Sequence, residues 1–246
     1  MRSDDMDLPK SKTKPVKSIN DYTFLIYGEP KVGKTTLTAR FDRALFIATE
    51  PGHKFQEIYK VDPKNWEDVR EVCAKLIKNK AEHDFKTIIF DTVDNAYKMC
   101  SDYVNKKQGV EHESDGDYGK VYALIKDEFM RIVNALGQHG FGIVFISHAQ
   151  VKDLEENGVK RSVTTTTLSA SASKLIQGLC DFILYCFIDG SGNRLIKTKG
   201  TPNLKAGDRS GILPDLLPLN YDALKDALEN PKPTNKTNNQ KQQEKK

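Results

Sequence analysis

The sequence predicts an α/β fold, a mostly parallel sheet covered by helices with an antiparallel hairpin near the C-terminal end. Three observations lead there. Apolar runs at residues 22–27, 44–49, 86–91 and 142–147 are too continuous to be half-exposed, which marks strands buried on both faces. Apolar residues at helical spacing fill the intervals, at 66–77, 94–107 and 118–136, giving the strand and helix alternation of a parallel sheet. Two later runs, 181–188 and 194–198, are separated only by Asp189-Gly190-Ser191-Gly192-Asn193, a tight turn that makes the pair antiparallel.

The first run leads into Gly28-Glu29-Pro30-Lys31-Val32-Gly33-Lys34-Thr35-Thr36 and then a helical stretch at 36–41. Strand, glycine-bracketed loop and helix in this order are a P-loop. A loop held between two glycines turns its backbone N–H groups toward a triphosphate, and the helix N-terminus adds a favourable dipole. Residues Gly28 to Thr36 are therefore the predicted ATP cradle. Lys34 reaches the β- and γ-phosphates, and Thr35 is a Mg²⁺ ligand.

The second run ends at Glu50-Pro51-Gly52, where proline and glycine stop the strand. That leaves Glu50 at the carboxyl end, where ligands of parallel sheets sit. It is either a turn-capping residue or a general base that orients water. Helix 66–77 has acidic residues early and lysines late, in agreement with the macrodipole. The third run ends at Asp91, in the form of a Walker B carboxylate that holds Mg²⁺ directly or through water. The polar, glycine-containing stretch 109–116 joins the next two helices, and the fourth run ends at His148.

Beyond His148 the pattern changes. Residues 151–168 hold the turn signal Glu155-Glu156-Asn157-Gly158 between two β-prone arms, so a hairpin and a mobile loop both remain open. Short helices are expected at 169–179 and 221–228. No internal repeat is present.

The net charge of +4 is carried by the ends. Residues 231–246 hold five lysines and one glutamate, and residues 1–17 hold five basic residues against three aspartates, which leaves the middle acidic. Both ends are too polar to pack. The expected division is a basic arm at 1–18, one ATPase domain at 19–230 and a lysine-rich tail at 231–246. The N-terminus lacks the apolar stretch of a signal peptide, and nothing is long and apolar enough to span a membrane, so a cytoplasmic protein is expected. Cys73, Cys100, Cys180 and Cys186 show no paired spacing and read as buried reduced thiols rather than a zinc site or disulfide framework.

The P-loop, the strand ends at Glu50, Asp91 and His148, and the run Arg194-Leu195-Ile196-Lys197-Thr198-Lys199 together resemble the RecA-type ATPase core. They are similar to the compact phage RecA-like ATPases with an AAA domain, some of which are single-strand-annealing recombinases. The likeness covers about residues 20–220 and extends to Asp117-Tyr118-Gly119-Lys120 and Ala206-Gly207-Asp208-Arg209. It implies that Glu50 activates water, that Asp91 is the Walker B carboxylate, and that His148, where RecA proteins usually have Gln, senses the γ-phosphate. Lys197 and Lys199 alternate along a strand and share a side. In such assemblies basic residues at this place reach into the neighbouring subunit's ATP, and Arg209 is a second candidate.

The segment 149–173 matches the RecA DNA-binding loops and offers Lys152, Lys160 and Arg161 but no aromatic residue, so phosphate contact rather than base stacking must hold single-stranded DNA. Asp153, Glu155 and Glu156 oppose that, and contact with another subunit is the alternative. The implied protein is a ring or filament that hydrolyses ATP on single-stranded DNA in recombination or annealing, with a single-strand-binding protein as a further partner. Alternatives are a replication helicase, a helicase loader, a small-molecule kinase, or an assembly module with little turnover.

Overall fold

Strands with no polar face have to be covered on both sides, and this chain covers them with helices. The computed structural model describes residues 8, 10–115, 119–156 and 159–231. Strands β1 (Thr23–Gly28), β2 (Ala44–Ala48), β3 (Tyr59–Val61) and β4 (Thr87–Asp91) are joined by β5 (Gly142–Glu156) and β6 (Val159–Thr166). Then follow β7 (Phe182–Ile188), β8 (Arg194–Lys197), β9 (Gly207–Asp208) and β10 (Leu216–Pro218). The sheet order is β10-β8-β7-β1-β5-β4-β2-β3. Pairing is parallel from β7 through β3 and antiparallel for β7 with β8 and for β8 with β10.

Alternate residues of each strand enter separate cores. Leu25, Ile47, Phe90 and Phe145 pack under α2 (Trp66–Lys78), α3 (Val93–Gln108), α4 (Lys120–Gln138) and α5 (Ala170–Leu179). Phe24, Ile26, Phe46, Val144 and Leu184 pack on the opposite side, under α1 (Lys34–Thr38) and α6 (Tyr221–Glu229). Each fully buried large side chain contributes about 1.5–3 kcal/mol. Asn65, Ser169 and Asn220 cap α2, α5 and α6 by accepting from backbone N–H groups. Gly109, at φ 68°, ends α3 in the left-handed region, where glycine carries no steric penalty.

Several boundaries differ from expectation. Strand β5 does not stop at His148 but continues to Glu156, pairing antiparallel with β6 from Ala149↔Thr166 to Glu156↔Val159, so the two β-prone arms form a hairpin pair rather than a mobile loop. The apolar run ends at His148 because the strand leaves the core there. Strand β8 stops at Lys197, helix α1 has five residues, and β3, β9 and β10 are short strands without periodicity. All four cysteines are buried and unpaired, and burial pushes the Cys73 and Cys186 thiols up to about 12. Residues 10–17 of the expected arm are exposed and carry no helix or strand. The tail at 232–246, Asn157-Gly158 and Asp117-Tyr118 lie outside the described residues. Among the described residues no helix is long and apolar enough to cross a membrane.

Candidate functional site

Parallel register brings the predicted residues to one edge of the sheet. Gly28 lies opposite both His148 and Cys186, and Ala48, two residues before Glu50, lies opposite Asp91. The loop between β1 and α1 therefore faces the ends of β2, β4 and β5. Two left-handed residues shape it, Lys31 at φ 66° and Gly33 at φ 117°. Leu37 N donates to Gly33 O at 2.9 Å, starting α1. The Lys34 ammonium donates to Gly28 O and Glu29 O, both at 2.9 Å, so it lies across the loop mouth. Burial lowers the Lys34 pKa below the ordinary lysine value, against the opposing pull of Cys186, Asp91 and Glu50.

Gly28 is fixed by close approach: a Cβ there would lie 2.1 Å from the Cys186 carbonyl oxygen. The β1–β7 pairing cannot relax without losing its ladder. Gly28→Ala should destabilise the protein by about 1–3 kcal/mol or more, read as a lower midpoint in urea melts. An unchanged midpoint would mean that this edge of the sheet yields easily.

Thr35 Oγ1 donates to Asp91 Oδ2 at 3.0 Å, and Asp91 is 3% exposed. A hydroxyl and a carboxylate meeting at the mouth of a loop that holds an ammonium fit a Mg²⁺–triphosphate, with hard oxygen donors on the metal side. Thr35 and Asp91 would hold the metal, and residues 28–36 the phosphates; a bound Mg²⁺ would neutralise phosphate charge. Asp91 also receives an unforeseen contact: His53 Nε2 lies 3.0 Å from the same Oδ2.

Glu50 sits beside this cluster. Its carboxylate is 3.4–3.5 Å from His148 Nε2 and 3.5 Å from Thr92 Oγ1, contacts long enough to leave it free for a water. Thr49 Oγ1 donates to Thr92 O at 2.7 Å, and Asn95 Nδ2 to Thr49 O at 3.3 Å, so the backbone before Glu50 is tied to the start of α3. His148 Nδ1 is buried without a partner among the described residues.

A family model described as "AAA domain" matches residues 20–210. The chain belongs to this family. An AAA domain implies nucleotide binding. The chain is also 32% identical over 139 residues to the SPbeta prophage-derived uncharacterized protein YorG of Bacillus subtilis (strain 168). That match covers 54% of this chain and 42% of the relative, so the chain spans less than half the length of the curated relative it matches.

The remaining basic residues of the AAA domain separate. Strand β8 runs away from the P-loop edge, so Arg194, opposite Ile188, is nearest the loop and Lys197, opposite Tyr185, is further down. Arg194 Nη1 lies 3.6 Å from the place a Gly33 Cβ would occupy. Sequence reasoning passed over it, although an antiparallel turn after β7 returns its first residue to the edge where β7 ended. Lys197 is bound to Asp215 at 2.6 Å, and Lys199 lies exposed beyond the strand. The expectation that both alternate along one strand is thus corrected, because β8 ends between them. Arg209 pairs with Asp181 at 3.0 Å, where β7 begins, at the sheet edge opposite the loop.

The hairpin register also divides the predicted DNA contacts. Lys152 pairs with Val163 and Leu154 with Arg161, whereas Glu155 pairs with Lys160 and Asp153 with Ser162. Alternation puts Lys152 and Arg161 on one face and Lys160 on the other, among Asp153 and Glu155. A separate cavity of about 350 Å³, bounded by Asp94, Asp102, Glu111, Glu113 and Thr167, is too acidic for phosphate.

Proposed function

We propose that this AAA domain binds and hydrolyses Mg²⁺-ATP and, as a ring or filament, acts on single-stranded DNA in recombination or annealing. One observation carries the reading: Lys34, Thr35, Asp91, Glu50 and His148 converge at the point where β5 leaves the sheet to become the hairpin. A nucleotide-dependent change at His148 is then one residue from the ribbon. Lys34 supplies charge at the phosphates, Thr35 and Asp91 hold the metal, Glu50 orients water as general base, and His148 reads the γ-phosphate. The prophage origin of the Bacillus subtilis relative supports a phage setting, with the host cytoplasm as its place of action. A single-strand-binding protein would be a further partner.

A second reading has its own support. Asp153, Glu155 and Lys160 form a mixed-charge face on the hairpin, which suits contact with another protein better than with DNA. That favours a helicase loader or a nucleotide-dependent assembly module.

The test is ATPase rate and annealing of complementary oligonucleotides, with wild type and Lys34→Ala. The expected result is DNA-stimulated turnover and annealing, both lost in Lys34→Ala. Contact through Lys152 and Arg161 alone gives log affinity for single strands a salt slope of about −1.4. A flat salt response would exclude phosphate contact by the hairpin, and assembly on ATP with negligible turnover would favour the module.

A further inference from the structure

We infer that His53 is a positioning residue for the metal site, holding the Asp91 carboxylate in the orientation that Mg²⁺ requires. The inference rests on the Mg²⁺-nucleotide reading and adds a residue to it. His53 lies three residues past Glu50 in the loop after β2. Its side chain is 4% exposed, and its ring meets Phe46 edge-on at 5.7 Å between centroids. A carboxylate only accepts hydrogen bonds, so the Nε2 facing Asp91 Oδ2 at 3.0 Å carries the hydrogen. Thr35 Oγ1 donates to the same oxygen. Two donors from two different segments therefore fix one carboxylate oxygen. Oδ1 receives no side-chain hydrogen bond from a described residue and remains for the metal or its water.

The contact also restrains the loop that carries Glu50. Gln56 N donates to His53 O at 3.1 Å, and Gln56 Nε2 donates to Thr36 Oγ1 at 3.3 Å. The segment from Glu50 to Gln56 is thus pinned to β4 through His53 and to α1 through Gln56. Partners that orient a metal-binding carboxylate typically change metal affinity by 10–100-fold when removed. A histidine with only a packing role would affect nucleotide binding equally with and without metal.

The wild-type chain and its His53→Ala, His53→Met and His53→Gln variants are compared for binding of a fluorescent ADP analogue in EDTA and across a Mg²⁺ titration. Mn²⁺ affinity is read in parallel by electron paramagnetic resonance, and circular dichroism reports folding. The expected result is a Mg²⁺ midpoint raised about 10–100-fold in the Ala and Met variants, with EDTA affinity nearly unchanged. Gln, which also presents an N–H, should recover most of the loss. Should the Ala variant fail to fold, the Met and Gln pair decides, since both fill the site and only one donates.

An unchanged Mg²⁺ midpoint, an equal loss in EDTA, or a Gln variant no better than Met would overturn the inference. So would a loss of Mn²⁺ affinity far exceeding that of Mg²⁺, because nitrogen ligation favours the softer ion and would make His53 a direct ligand. Nucleotide binding by wild type with unaltered His53 variants defeats this inference alone. Wild type that binds no nucleotide in either condition defeats the nucleotide reading along with it.

Discussion

Glu50→Gln is expected to lower ATP turnover by about 10²–10⁴-fold, the usual contribution of a positioned general base, while nucleotide affinity stays within a few-fold of wild type. The geometry separates the two quantities. Glu50 makes no hydrogen bond to Lys34, Thr35 or Asp91, the side chains assigned to the phosphates and metal; its neighbours are Thr92 and the proposed γ-phosphate sensor His148, at 3.4–3.5 Å. Glutamine keeps the shape and the contact to Thr92 but cannot take a proton from water. Stability should change little, because a partly exposed pair at this distance contributes about 0–1 kcal/mol. Turnover measured beside equilibrium binding of the same variant decides the matter. Unaltered hydrolysis would remove Glu50 from the chemistry and leave it as a turn residue at the end of β2.

Glu50 and Asp91 were readable in the sequence because each ends a continuous apolar run, and in a parallel sheet such ends lie together. The P-loop was readable from its own spacing. His53 was not: no periodicity links a loop residue to a carboxylate 38 positions later, and only the folded crossing of the β2 and β4 ends makes the pair. Arg194 left a usable signal in the turn at 189–193, which fixes the direction of β8. The hairpin was half legible. Its polar arms suggested β structure, but the assignment of Lys152 and Arg161 to the face of buried Val163, and of Lys160 to the exposed face, depends on register, which arms this polar specify only weakly in sequence. Strands β3, β9 and β10, with two or three residues each, are too short to show a period and exist through their neighbours.

The model in which a neighbouring subunit completes the site makes a prediction that divides the two lysines. Lys199→Ala should lower turnover about 10³-fold, the lower range for a cation that acts in trans on the transferring phosphoryl group, and leave nucleotide affinity near that of wild type. Lys197→Ala should leave turnover within a few-fold. Its ammonium is committed to Asp215 at 2.6 Å within its own chain, so its loss removes a surface pair contributing about 0–1 kcal/mol. Lys199 stands past the end of β8, exposed and without an ion pair among the described residues, free to enter another chain's site. Mixing Lys199→Ala with Lys34→Ala subunits is the decisive measurement. A Lys34→Ala subunit has a dead loop but an intact Lys199, and it can supply that lysine to the intact loop of its neighbour. Activity should therefore be recovered at intermediate ratios and be absent from either variant alone. No recovery at any ratio, with assembly of both variants intact, would place Lys199 outside the reaction. Equal loss from Lys197→Ala would instead mean that the Asp215 pair opens when subunits meet.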